Sequence, residues 1–255
     1  VRQAATLIIS AALLPGVLAL SACSSSSPSS KSAVAPAAAA KASATATPTP
    51  VGNIGLSQNQ LIAAIRTAAG SATFLHVKGD IANSGENNPV DMQLAEDGDS
   101  TGTVGSAPLE MTFIVDGETS YLQCTSNLVS MTGFPCTGLL NKWLSIPMSD
   151  NQVSSSIFDT YMTYSKFLTN LTDLDGVTTA PDGTAKVNGQ TVAQYSVDST
   201  TDGTSVMSLP ASGPALPIQM VGTGSNSGAV VFTWNQPVAI TDPPASQIVA
   251  TTQSD

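Results

Sequence analysis

The sequence predicts an α+β fold built mainly of antiparallel strands. Three observations carry this. Apolar and polar residues alternate in short runs from Phe74 onward, Asp-Gly and Asn-Gly pairs separate those runs, and two stretches switch to helical spacing. Period-2 alternation marks a half-buried strand, and a 3.6-residue period marks an amphipathic helix.

Taken in order, a helix comes first. Ser57 and Gln60 form a capping box, so the helix is expected to begin at Gln58. Leu61, Ile65 and Ala68 recur at helical spacing, and Gly70 stands where a C-terminal cap belongs. Phe74 to Ile81 then reads as a strand, with Leu75, Val77 and Ile81 on one face and Phe74, His76, Lys78 and Asp80 on the other. Val90, Met92 and Leu94 alternate with Asp91 and Gln93, and Asp97-Gly98 leads into the next strand. Met111, Phe113 and Val115 alternate with Thr112 and Ile114, and Asp116-Gly117 turns the chain into Thr119–Gln123. Asn188-Gly189 joins Ala185–Val187 to Thr191–Asp198 in the same way. Both dipeptides tolerate the positive φ that tight hairpins need. Further strands are expected at Val206–Leu209, Pro217–Val221, Ala229–Trp234 and Val238–Thr241, with Pro243-Pro244 ending the sheet.

A second helix is expected over Ser155 to Asn170, which lacks Gly and Pro. Ile157, Tyr161, Tyr164 and Leu168 recur at helical spacing, with Phe158 and Met162 beside them. Such a wide aromatic stripe fits a helix packed on a sheet. It equally fits a helix that lines an apolar ligand cavity against that sheet.

The N-terminal residues have a separate character. Arg2 precedes an apolar stretch from Ala4 to Leu20, interrupted by Thr6 and Ser10 and broken by Pro15-Gly16, and Leu20-Ser21-Ala22-Cys23 closes it. A positive start, an apolar run and small residues at the cut are the pattern of a secretory signal. The tetrapeptide resembles a lipobox, in order and spacing, at all four positions. That resemblance implies that residues 1–22 are removed and that Cys23 becomes a lipidated N-terminus, anchoring the chain on the extracytoplasmic face of the cell membrane. An ordinary signal with an incidental Cys, or an uncleaved anchor, is the alternative. Residues 23–51 are then expected to form the tether. Ser24 to Pro50 is almost entirely Ser, Ala, Pro and Thr, a composition too poor in apolar surface to offset ordering entropy. A flexible coil of roughly 27 residues spans about 25–30 Å. Residues 52–255 make one domain by length.

Charge and cysteines narrow the function. Arg2 lies in the leader, which leaves 7 basic against 18 acidic residues and a net charge of −11. Nucleic-acid binding needs a basic footprint, so nucleic acid is excluded as a partner. Cys124 and Cys136 are an even pair in what should be an oxidising compartment, and read as one disulfide. Closing a loop of about 13 residues is worth roughly 3 kcal/mol in the chain-entropy account. A redox or zinc pair is the alternative, but the spacing is no C-x-x-C and one histidine leaves too few ligands. Catalytic patterns are weak: the string Gly98-Asp99-Ser100-Thr101-Gly102 has G-x-S-x-G spacing but stands where a turn leads into a strand, not at a strand-to-helix elbow, and there is no Gly-rich phosphate loop. A triad would have to use His76, which the alternation places on a mixed strand face. Glu96-Asp97-Gly98-Asp99 and Asp173-Leu174-Asp175-Gly176 read as turns, the second lacking the full EF-hand spacing. No enzymatic activity and no cofactor are expected.

Several stretches together resemble the LolA-like carriers, specifically the LppX/LprG-type lipoproteins of mycobacteria and related actinobacteria. They are Ser71 to Gly79, Val115-Asp116-Gly117 with Tyr121-Leu122, Lys142-Trp143, Val187 to Gln190, Leu216-Pro217-Ile218, Trp234 to Val238, and Pro243-Pro244. The resemblance covers nearly the whole of 52–255. It implies a strongly curved antiparallel sheet, an open half-barrel, with helices packed on its concave face, and a non-enzymatic, monomeric protein. Better-known members hold acyl chains of envelope lipids or glycolipids between sheet and helices. The Cys124–Cys136 pair departs from the usual pattern, and its loop is expected to cover or fill the cavity mouth. Candidate lining residues are Met111, Phe113, Val115, Tyr121, Ile157, Phe158, Tyr161 and Met162. A packed interior serving as an envelope interaction protein is the alternative.

Overall fold

The computed structural model describes residues 52–83, 86–106, 110–130, 136–147, 163–172, 177–199, 203–223, 228–237 and 239–250. The expected leader, tether, Cys23, Val238 and the Asp173–Gly176 turn lie outside them. Residues from Pro48 onward form one compact unit.

The unit is one open sheet of twelve strands with three helices among the described residues. In chain order the elements are α1 (Gln58–Ala69), β1 (Phe74–Asn83), β2 (Glu86–Ala95), β3 (Ser100–Val104), β4 (Met111–Asp116), β5 (Thr119–Gln123), α2 (Ser126–Ser130) and β6 (Trp143–Pro147). There follow α3 (Tyr164–Thr172), β7 (Val177–Val187), β8 (Gln190–Ser199), β9 (Gly203–Pro210), β10 (Gln219–Gly222), β11 (Ala229–Trp234) and β12 (Ile248–Ala250). Across the sheet the order is β12-β6-β5-β4-β3-β2-β1-β11-β10-β9-β8-β7. Every pairing is antiparallel except β12 on β6. Strands β12 and β7 do not pair with each other, so the curved sheet stays an open half-barrel.

Register explains which side is apolar. Phe232, Val77, Met92, Gly102, Phe113, Leu122 and Leu144 stand in one continuous row across β11 to β6. A neighbouring row, Leu75, Leu94, Ser100, Val115, Ser120 and Ile146, is also buried. Small residues are interspersed with large ones, as tightly curved sheets require. Two glycines mark the closest approaches. A Cβ on Gly79, which has φ +145°, would lie 2.0 Å from the Ala229 carbonyl oxygen and 2.9 Å from Val230 Cα. One on Gly102 would lie 2.3 Å from the Asp91 carbonyl oxygen. Only a residue without a side chain lets neighbouring backbones come this near.

Helix α1 begins as expected, with the Ser57 N–H donating to Gln60 Oε1 at 3.0 Å. It buries Leu61 and Ile65 against Ala193, Tyr195, Val197, Met207 and Leu209 of β8 and β9, and Ala69 is buried at its end. The innermost alanine is therefore Ala69 and not Ala68, because a four-residue step keeps the stripe on one line. Tyrosine hydroxyls hold both ends of α1. Tyr195 Oη donates to the Asn53 carbonyl at 2.5 Å and accepts the Leu56 N–H at 2.9 Å. Tyr164 Oη, from α3, lies 2.7 and 2.9 Å from the Ala69 and Ala72 carbonyls. Arg66 ties α1 to the end of α3, donating from Nη2 to the Thr172 carbonyl at 3.1 Å.

Four sequence expectations need correction. Ile81 is exposed, because it projects past the last buried row of β1. Among the described residues the second helix runs over Tyr164–Thr172, two residues beyond its expected end, since Thr172 Oγ1 bonds back to the Leu168 carbonyl at 2.8 Å. The described part of Val238–Thr241 is not strand. Pro243-Pro244 does not end the sheet: a 3-10 turn at Ala245–Gln247 redirects the chain and β12 adds beside β6. The outermost strand on the other side, β7, carries a register shift between Pro181 and Gly183.

Two measurements test this account. Gly79→Ala should destabilise the fold by about 1–3 kcal/mol in urea unfolding. Gly98→Ala, also at positive φ but with nothing near its Cβ, should cost clearly less. Burial, with a smaller contribution from the Glu96 charge, pushes the Tyr164 hydroxyl up to about 12 from its ordinary 10.0. The folded state thus favours the neutral phenol, a contribution complete below pH 10 and lost as pH rises through about 12. Tyr164→Phe should lower stability at neutral pH by about 1–3 kcal/mol, leaving two carbonyls without this donor. It should also flatten the alkaline fall in the unfolding midpoint.

Candidate functional site

The concave side of the sheet is the expected site. From β4, Met111, Phe113 and Val115 all point into it and are buried, Phe113 completely. They pack with Met92, Leu94, Leu122, Leu144 and Ile146 in one cluster. Helices close it from above. Helix α2 contributes the fully buried Leu128, and α3 contributes Tyr164 and Phe167. The Phe167 ring meets Phe232 edge-on at 6.2 Å between centroids. Around the β4 residues, therefore, the described interior is filled.

The Cys124–Cys136 disulfide is present, both cysteines being fully buried in the same cluster. Cys124 follows directly on β5, and its N–H donates to the Lys142 carbonyl at 2.8 Å. The Asn141 N–H returns to the Cys124 carbonyl at 2.9 Å, with Asn141 at φ +60°. The bridge thereby fixes the short α2 over the sheet, a helix that its five residues could not sustain alone.

The expected lining residues do not all meet. Ile157, Phe158, Tyr161 and Met162 lie outside the described residues. Tyr121 is on the opposite face, which corrects the expectation that it lines the interior. In β5 it is Ser120 and Leu122 that point inward, because Asp116 pairs with Thr119 and so Val115 faces Ser120. Counting back from the hairpin would have found this, since strand parity puts Tyr121 opposite the outward Ile114. Burial, and then the charges of Asp242 and Asp116, raise its hydroxyl above the usual tyrosine value. Asp116 is itself raised, chiefly by a hydrogen bond with the Asp242 carboxyl.

The interior has one discontinuity that periodicity did not reveal. Its buried side chains form two clusters, one under α2 and α3 and one under α1. Among the described residues, the half-buried Leu171 and Met220 are the apolar side chains that pack against both. Two hollows open elsewhere. One, about 630 Å³, lies beside α1, between Ala64 and Ala68 on one side and Pro214 to Leu216 on the other. The second, about 300 Å³, lies on the outer sheet face over β2, β3 and β4.

Ionisable groups are few. His76 Nε2 lies 2.7 Å from Asp91 Oδ1, and Lys78 Nζ donates to Asp91 Oδ2 at 2.7 Å. Burial works to raise the Asp91 carboxyl, but the Lys78 and His76 hydrogen bonds and charges outweigh it and hold it below the usual range. Among the described residues no cluster of three His, Cys, Asp or Glu is arranged to hold a metal ion. No described helix is long and apolar enough to cross a membrane.

No protein-family model matches the chain. No curated protein matches it. Among solved structures it is similar to LprF from Mycobacterium bovis, at 12% identity over 73% of this chain and 96% of that one, with a TM-score of 0.49. It is similar to the Mycobacterium tuberculosis lipoprotein LppX at 16% identity, over 72% and 100% of the two chains, with a TM-score of 0.45. A LolA superfamily protein from Nitrosomonas europaea is a more distant likeness, at 8% identity, 75% and 96% coverage and a TM-score of 0.27.

Proposed function

We propose that this chain is a monomeric, non-enzymatic binding protein of the cell envelope, anchored through a lipid on Cys23, that takes the acyl portion of an envelope lipid or glycolipid between its sheet and helices. The observation that carries this reading is the divided interior. Among the described residues an open sheet with one apolar face is covered by three helices, and between the two halves of the cover the apolar packing is carried by Leu171 and Met220, beside the polar bonds of Tyr164 and Arg66. Parting α1 from α3 along that seam would expose a continuous apolar floor. Each methylene of an acyl chain laid there gains about 0.8 kcal/mol on leaving water. No catalytic group is needed for this. The resemblance to the LppX/LprG-type carriers points the same way, and the aromatic stripe of Ile157, Phe158, Tyr161 and Met162 supplies further apolar surface just ahead of α3.

A second reading uses the same fold as an interaction or structural protein with a packed core. The complete burial of Phe113 and its neighbours favours it.

Native mass spectrometry separates the two. The chain from Pro48 onward, secreted from an actinobacterial host so that native lipids are at hand, should carry a reproducible added mass that extracts as a lipid. Leu171→Trp, which fills the seam, should reduce the loaded fraction. A clean ligand-free mass that persists after incubation with envelope lipids would sink the carrier reading in favour of the packed one.

A further inference from the structure

The outer face of the sheet holds polar groups that neither the fold nor lipid binding uses. The 300 Å³ hollow there is lined by Asp91, Gln93, Thr101, Gly102, Thr103 and Thr112, in the middle of strands β2 to β4. All these side chains are half-buried. Thr101 Oγ1 donates to the Phe113 carbonyl at 3.2 Å. Among the described residues, the Gln93 amide and the Thr103 and Thr112 hydroxyls have no hydrogen-bond partner. Three groups able to donate and accept therefore face one shallow cavity.

The charge of the hollow says what kind of molecule it suits. Its only ionised group, Asp91, is bridged to Lys78 Nζ and His76 Nε2, each at 2.7 Å. An anion would meet the Asp91 carboxylate, and a cation would have to displace Lys78. The pinned carboxylate remains a fixed hydrogen-bond acceptor, stronger than a neutral one. Beside the hollow the same outer row continues into an apolar platform: Thr101 pairs with Ile114, and Ile114 with Tyr121. At one strand spacing per step, Tyr121 stands about 10 Å from Thr101. Donors, acceptors and a fixed carboxylate on one side of a flat site, with an aromatic ring about two sugar lengths away, match the two surfaces of a carbohydrate: its hydroxyls and its C–H face.

We infer that this face binds a neutral glycan chain, one sugar ring in the Gln93–Thr103–Thr112 hollow and the next but one against Tyr121. The site lies on the opposite side of the sheet from any lipid, so it stands or falls independently of the carrier reading. A lipid-anchored protein with such a face would touch the wall polysaccharide while its other side handled something else.

The test is a titration of the full chain with triacetylchitotriose and with maltotriose, followed by backbone amide NMR and calorimetry. Millimolar or tighter binding of at least one trisaccharide is expected, with shifts confined to the β2–β5 residues around Gln93, Thr103 and Tyr121. Gln93→Ala and Tyr121→Ala should each weaken binding roughly three- to tenfold, and Tyr121→Trp should retain it. Both alanine changes are at half-buried outer positions, and an unchanged melting temperature verifies that each variant is folded. If Tyr121→Ala fails that check, Gln93→Ala and the shift map carry the test. Absence of binding by both sugars, or shifts that fall elsewhere, overturns the proposal.

Discussion

The close contact of backbones at Gly79 and Gly102 is the constraint on which the rest depends. A sheet with a single apolar face has to hide it, and a flat one of twelve strands would need a second layer of equal size. Where two side chains are missing neighbouring backbones close in, and the helices among the described residues cover the apolar face of this curved, open sheet. The alternation of large and small inward residues follows from that bend, as does the burial of Ser100 and Ser120 among leucines and valines. Ser120 remains tolerable there because its hydroxyl donates to the Ile146 carbonyl at 3.1 Å.

The cover is fastened by a few polar contacts of unusual reach. Tyr195 from β8 and Tyr164 from α3 grip the two ends of α1 through backbone groups. Their hydroxyls donate to backbone carbonyls at and beside those ends, so each is worth more than its apolar contact alone. The disulfide does the same for α2. Between these fastenings the core is continuous within each half and thin across the middle. Polar bonds from Tyr164 and Arg66 cross that middle, so the two halves are held together where their apolar packing is thin.

Much of this was legible in the residues. The hairpins at Asp116-Gly117 and Asn188-Gly189 read correctly, because those dipeptides supply the positive φ that the turns use. The capping box located α1 to the residue, and the disulfide followed from compartment and parity. Other features depend on partners far away in the chain. Nothing local marks Ile248–Ala250 as a strand; it becomes one only because β6 offers an edge. Gly79 and Gly102 read as weak points in strands, whereas their meaning lies in which strand sits alongside. Of the candidate lining, Met111, Phe113 and Val115 are inward and buried, as simple alternation placed them. Tyr121 faces the other way, as strand parity from the hairpin already required.

The two edges of the sheet carry one more consequence. An open half-barrel has free strand ends, and a free edge is a template on which another copy can add. Here one edge is only three residues long, and the other is interrupted near its middle by Pro181, which has no N–H to offer, and by the offset that follows it. Copies crowded together on a surface collide at far higher local concentrations than copies in dilute solution. A sheet that shelters its face but cannot close its edges would, in that setting, be at constant risk of zipping into fibres. The broken β7 and the stub of β12 offer such a copy little to add to.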